Sequence, residues 1–374
     1  MSVFSCCFLF GKAKSKSSKN VSSLYACKVI PDLPTKGLDQ HLEEMKILSK
    51  LAILGIMLYT VGCQTETIPQ DDTQSGYNIT EQLENTEHVR GALNPFKLIE
   101  NPPYVTVDEI AHLRDDDLVF LTKASGKVQV FPYRHMLVEV VNEAENGVWM
   151  AITYCPITRS GINWNRVVGV DTMLLTASGY LYKDNLMPLD VNSGNIWSQM
   201  LMRRFQGDAL EGEIFAFREL ITYPMIETTW LTVKDHFPGA SVYVNNIGMK
   251  SADAAPNEQQ LGIIGKESVE TFSLDMFPGE PTLHMSAVNP GGKIVVAGSS
   301  KHHYMLAFHT TYHMEPVQGK FPLIMKDETG TMWDIFGEGM MGEHAGETLE
   351  SPLYYTAADW AWRDLYKNVN VFDP

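Results

Sequence analysis

The sequence predicts a mainly β fold with short helices (α+β), built as an internally duplicated unit packed as two similar halves. Three observations predict it. Short apolar runs are punctuated by glycine turns, long segments with helical period are scarce, and the same small motifs return later in the chain. Ser193-Gly-Asn-Ile-Trp197 recurs as Thr329-Gly-Thr-Met-Trp333, and Gly207-Asp-Ala-Leu-Glu-Gly-Glu213 as Gly337-Glu-Gly-Met-Met-Gly-Glu343. Trp230 recurs as Trp360, Val141-Asn142 as Val288-Asn289, and the stretch 126–131 loosely as 265–272. Two copies then occupy 96–245 and 246–374.

The elements follow in order. Runs at 117–122 and 127–131 flank Ala124-Ser-Gly126 and read as a hairpin. Val148-Trp-Met-Ala-Ile-Thr-Tyr154 is short and apolar on both faces, the pattern of a central strand. Stretches 195–201 and 213–218 read as strands between glycine turns. The stretch 227–236, with threonine caps and a proline just beyond, reads as a short helix, and 356–365 is its counterpart. The shared Trp230 and Trp360 are read as core anchors.

Upstream of this body lies an address. A basic stretch, Met45-Lys-Ile-Leu-Ser-Lys50, precedes an apolar run of about a dozen residues that ends at Gly62-Cys63. A membrane-spanning helix needs roughly 20 such residues, so the run reads as a leader. Gly62-Cys63 resembles the bacterial lipoprotein signal, which implies that Cys63 receives a diacylglycerol and becomes the new N-terminus. Residues 45–62 are then a signal peptide, and residues 1–44 a mis-assigned upstream extension with translation starting at Met45. The acidic stretch 63–95 has no periodicity and reads as a flexible tether.

Of the 374 residues, 29 are basic and 45 acidic. Eight of the basic and four of the acidic residues fall within 1–62, leaving 21 against 41, a net of −20. Such an excess repels phosphate backbones and anionic lipid, so nucleic acid is excluded as a partner and membrane attachment is assigned to the lipid anchor. The five cysteines are Cys6, Cys7, Cys27, Cys63 and Cys155. With the first three upstream of the leader and Cys63 acylated, Cys155 is the one thiol of the mature body, so no intramolecular disulfide forms.

Ile152-Thr-Tyr-Cys155-Pro-Ile-Thr158-Arg159-Ser-Gly161 is the segment with chemistry to offer. If the strand ends at Tyr154, Cys155 caps a helix that starts at Pro156. Backbone N–H groups there, with Thr158 and Arg159, would favour thiolate. The alternative is a buried cysteine at a strand end. Glu139 and Glu143 are spaced one helical turn apart and read as one solvated helix face. His302, His303, His309 and His313 are the weak metal candidates. Their aromatic and β-branched surroundings suggest a strand, on which they do not converge, and no zinc signature is present.

Several segments together resemble domain-of-unknown-function family 3179, found in bacteria and archaea. They are Phe131-Pro132, Glu139-Val-Val-Asn142-Glu143, Thr153-Tyr-Cys-Pro156, Ala177-Ser-Gly-Tyr-Leu-Tyr182 and Gly194-Asn-Ile-Trp-Ser-Gln199, with the paired-glycine segment before Trp230. The resemblance spans most of 96–374 and implies the fold and the location of a site, not a reaction. Members carry a second cysteine where this chain has Thr158, and a histidine before the glutamate where it has Val138, with His135 three residues earlier. Two soft or borderline metal ligands are therefore missing. No cofactor is predicted, and nothing in the sequence supports a metal. The chain as a whole reads as a lipid-anchored protein of the cell envelope, at the outer membrane or a periplasm-facing membrane surface. There it binds an unknown ligand or envelope partner without catalysis. The alternative is a thiol-dependent enzyme centred on Cys155, with Glu139 or His135 as base and Arg159 stabilising the thiolate.

Overall fold

Tight turns cut this chain into short strands. The computed structural model describes residues 79–205, 222–245, 259–288 and 293–374. Residues 1–44, the leader 45–62, Cys63, the start of the tether, the stretch 207–218 and Asn289 lie outside the described residues.

The chain enters through helix α1 (Ile79–Glu84) and strand β1 (Val89–Gly91), so the segment read as tether to residue 95 is built into the body from residue 79. Leu83 is fully buried beside Tyr180, Met187 and Ile196, and β1 has a strand partner further on. A single apolar anchor and one row of ladder bonds are enough to hold a stretch that is polar on average.

Strands β2 (Tyr104–Thr106), β3 (Leu118–Thr122) and β4 (Gln129–Pro132) follow, the last two forming the predicted hairpin around Gly126 at φ +83°. Strands β5 (Val140–Glu145), β6 (Val148–Cys155) and β7 (Ser160–Asn165) form a meander with β6 in the centre, as its two apolar faces predict. Asn146 and Gly147, both at positive φ, make the two-residue turn between β5 and β6. Glu139 and Glu143 therefore belong to a turn and a strand, not to a helix face; pairing with β6 consumes the backbone bonds that a helix would need. Strands β8 (Leu175–Tyr182) and β9 (Asn185–Asp190) form a second hairpin, with β1 on its outer side. Of the stretch 195–201, Trp197–Ser198 forms a short strand and Ile196 adds an isolated bridge to Leu189.

Strand β10 (Ile226–Thr229) runs into helix α2 (Trp230–His236), which leads to β11 (Ser241–Tyr243). The helix starts three residues later than predicted because residues 226–229 pair with β3. Thr229 remains extended and its hydroxyl accepts from the Thr232 N–H, an N-cap. These strands make one sheet in the order β10-β3-β4-β11-β2, antiparallel except where β11 runs parallel to β4.

The rest of the chain supplies β12 (Gln259–Ile264), β13 (Val269–Ser273) and a meander of β14 (Thr282–Ser286), β15 (Ile294–Ser299) and β16 (Tyr304–His309). Then come β17 (Leu323–Lys326), β18 (Met332–Asp334), β19 (Gly339–Met341), β20 (Tyr354–Ala358), helix α3 (Asp359–Leu365) and β21 (Val369–Val371). Strands β20, β12, β13 and β21 lie in that order, again antiparallel except for the last pair. Through Thr356 opposite Gly161, this sheet continues into β7, β6 and β5, and Thr222–Tyr223 adds an eighth strand beside β7.

The main core lies between the sheets. Val119, Leu121, Val130, Ile226 and Trp230 pack in one cluster with Leu261, Ile263, Phe272, Val295, Leu306 and Trp333. The two predicted halves therefore share a core. Trp230 is buried as expected, but Trp360 is 40% exposed and the fully buried tryptophan of α3 is Trp362. Strand pairing up to Ala358 sets the phase of that helix and turns Trp362 inward. No helix among the described residues is long and apolar enough to cross a membrane.

Candidate functional site

Strand β6 ends at Cys155, and the chain turns back through Pro156, Ile157, Thr158 and Arg159 to Ser160, which pairs with Cys155. No helix starts at Pro156, so Cys155 closes a hairpin and caps nothing. The turn amides of Ile157 and Thr158 and the Thr158 hydroxyl do reach the sulfur, as a thiolate would want. Burial outweighs them: Cys155 is 1% exposed, and the net effect raises its thiol above the ordinary value. The nearby Glu139 carboxylate pushes in the same direction, and Sγ lies 3.6 Å from the Asp184 carbonyl.

Thr158 is fully buried, and its hydroxyl lies 2.9 Å from Ser160 Oγ and 3.0 Å from Asn185 Nδ2. Ser160 Oγ donates to Gln199 Oε1 at 2.6 Å, while Gln199 Nε2 donates to Thr153 Oγ1 at 2.9 Å. Asn185 Nδ2 also reaches Gln199 Oε1, and its Oδ1 accepts from the Met200 N–H. This closed set of neutral groups holds the turn in place. Gln199 ends the segment Gly194-Asn-Ile-Trp-Ser-Gln199, which carries part of the family resemblance. Asn185 follows the turn Lys183-Asp184, both at positive φ, and no composition signal marked it.

Of the other predicted residues, Glu139 acts on the thiol through its charge, while His135 and Asn142 are engaged elsewhere. His135 is buried, with Nδ1 at 2.8 Å from the Tyr243 carbonyl and Nε2 at 2.8 Å from His112 Nε2, so both ring nitrogens are taken and neither serves Cys155. Asn142 ties three segments together: Nδ2 donates to Ile99 O and Leu175 O, and Oδ1 accepts from Leu175 N. Glu139 sits at φ +62° with its carbonyl accepting from Tyr154 N. Arg159, at φ +53°, offers its carbonyl to Gln259 Nε2 at 3.1 Å.

The four histidines separate likewise. His309 and His313 lie at and beyond the end of β16, while His302 and His303 occupy the turn before it. Among the described residues no group of three or more His, Cys, Asp or Glu is arranged to hold a metal. His303 Nε2 lies 3.3 Å from Glu227 Oε1, and Glu227 Oε2 accepts from Gln259 Nε2 at 2.7 Å and from the Tyr133 hydroxyl. Beside them is a space of about 10 Å³, enough for about one water, next to the unpartnered Gln259 Oε1 and Tyr304 hydroxyl.

His302 faces the other way, into a larger cavity of about 350 Å³. One wall is α2, through Leu231, Thr232, Asp235 and His236; the opposite wall carries Glu280, Lys301, His302 and Phe321. The His302 carbonyl accepts from the hydroxyls of Thr228 and Thr232, fixing the turn against β10 and α2. Sequence reasoning named His302 but only as a metal candidate; the cavity joins residues far apart in the chain and had no local signal.

The family model described as "Protein of unknown function (DUF3179)" matches residues 97–256. Over those residues the chain is similar to that family. The DUF3179 segment contains the Cys155 turn, the Asn185–Gln199 network and α2, and it ends before the second wall of the cavity. No curated protein and no solved structure matches the chain.

Proposed function

We propose that this chain is a lipid-anchored protein of the cell envelope, held through Cys63, whose β-rich body binds a small ligand or envelope partner and performs no catalysis. The observation that carries the binding reading is the cavity of about 350 Å³ between α2 and the turns at 279–281, 300–303 and 319–321. A cavity of this size, with converging polar groups, is the default binding site of a β-rich body. Against the thiol-enzyme reading stand the burial of Cys155, the upward shift of its thiol and the occupied nitrogens of His135.

The body is read as an internal duplication. Support comes from the order β10-β3-β4-β11, repeated as β20-β12-β13-β21 with the same directions and with a helix between the outer strands. Further support comes from two turns of equal length, 156–159 and 300–303, each with its fourth residue at positive φ, Arg159 and His303. Each turn docks on the other half: Thr158 O accepts from Ala358 N, as His302 O accepts from Thr228 and Thr232. Ser299 then stands where the first half has Cys155.

Native mass spectrometry of the protein recovered from its own envelope tests both parts of the reading. The wild type partitions with membranes and carries a small-molecule adduct. Cys63→Ser becomes soluble, and Leu231→Trp, which places a ring across the mouth of the cavity, loses the adduct. A soluble wild type overturns the anchor; an adduct that survives Leu231→Trp, or a wild type with none, overturns the cavity as the binding site.

A further inference from the structure

The groups around the cavity define a ligand class, and this inference rests on the binding reading above. His302 is 7% exposed and stacks on Phe321, ring centroids 4.1 Å apart and planes within 13°. The His236 ring stands edge-on to both, at 5.2 Å from His302 and 4.7 Å from Phe321. Neither imidazole has a hydrogen-bond partner for its ring nitrogens among the described residues, although His302 is nine-tenths buried and lines the cavity. Both rings line the cavity, so a ligand that enters it can reach them.

Charge narrows the choice. Lys301 is paired with Glu280 Oε1, and Glu280 Oε2 accepts from the Gly319 N–H, so this cation and this carboxylate satisfy each other. Asp235 adds a second carboxylate at the rim. Among the described residues, no uncompensated cation lines the cavity to hold a phosphate or carboxylate ligand. Burial also pushes His302 down to about 4, keeping its ring neutral near pH 7. A neutral imidazole donates one hydrogen bond and accepts one, and a carboxylate only accepts. Hydroxyl groups, which donate and accept at once, complement that mixture, while Leu231 and Phe321 offer apolar surface to C–H faces.

We propose that the cavity binds a small neutral polyhydroxylated molecule of the sugar class. Its hydroxyls exchange hydrogen bonds with His236, His302 and Asp235, and its C–H face rests on Leu231 and Phe321. The test is ¹⁵N NMR of the imidazole nitrogens in the full-length protein, assigned with His236→Gln and His302→Phe. Glucose, maltose, inorganic phosphate and putrescine are titrated separately. Glucose or maltose is expected to shift both rings saturably, with a midpoint of about 1 mM, and to leave the His112–His135 pair unmoved. His302→Phe, which keeps the stack but not the nitrogens, weakens binding about tenfold, and Leu231→Trp abolishes it. Saturable shifts with phosphate or putrescine alone overturn the sugar class but leave the cavity a binding site. Silence with all four probes also overturns the sugar class, and the native-mass adduct then decides the binding reading separately.

Discussion

His302 and His135 are both buried, and burial is the main cause that lowers the pKa of each. His302 is the larger case, at about 4 against an ordinary 6.5, with His236 and Lys301 adding to the burial effect and Glu280 and Asp235 opposing it. A depressed pKa means that the unfolded chain binds protons more readily than the folded one. The stability this group contributes is fully present above about 6.5 and is lost as pH falls from there through about 4. The loss is at most roughly 3 kcal/mol. His302→Phe keeps the aromatic stack and removes the titration, so its thermal midpoint should fall less steeply than the wild type's between pH 6.5 and 4. Parallel pH profiles for the two proteins would place the acid sensitivity elsewhere.

At the scale of elements, legibility depended on how local the determining contact is. The hairpin around Gly126 and the central strand over 148–154 were readable because turn glycines and doubly apolar runs carry their own signal, although the strand runs one residue further, to Cys155. The start of α2 was misplaced because residues 226–229 are claimed by pairing with β3, a partner about a hundred residues upstream. The same distance problem hid most of the site. The cavity joins α2 to Lys301, His302 and Phe321, and only His302 stood out in the sequence. The place of β1 in the body was missed for a subtler reason. Gly91 lies at φ +102°, and a Cβ there would come within 2.2 Å of the Gly179 carbonyl oxygen, so two glycines distant in sequence permit β1 to lie against β8. Gly91→Ala should therefore detach β1 at a cost of about 1–3 kcal/mol locally. Limited proteolysis would then cut between residues 84 and 95 while the rest of the body stays protected. Equal protection in the variant and the wild type would mean that β1 is held by Leu83 alone.

On the scale of the whole molecule, the proposed duplication does not make two independent bodies. Val119, Leu121, Val130, Ile226 and Trp230 from the first half contact a cluster completed by Leu261, Ile263, Phe272, Val295, Leu306 and Trp333 from the second. Each fully buried side chain of this kind contributes about 1.5–3 kcal/mol relative to exposure. Exposing even half of the first group's surface would thus remove several kcal/mol, comparable with the roughly 5–15 kcal/mol that a domain has in total. The crossed turns add to this dependence. Thr158 meets Ala358, and His302 meets Thr228 and Thr232, so each half also supplies hydrogen bonds at the strand–helix junction of the other. A fragment of residues 79–245 should consequently keep strand content in far-ultraviolet circular dichroism but show no cooperative thermal transition and bind a hydrophobic dye. Adding a fragment of residues 246–374 should restore the transition. A cooperative transition in 79–245 alone would mean that the shared core is a late contact between self-sufficient halves. The cavity would then be a cleft free to open, since its walls come from the two sides of that boundary.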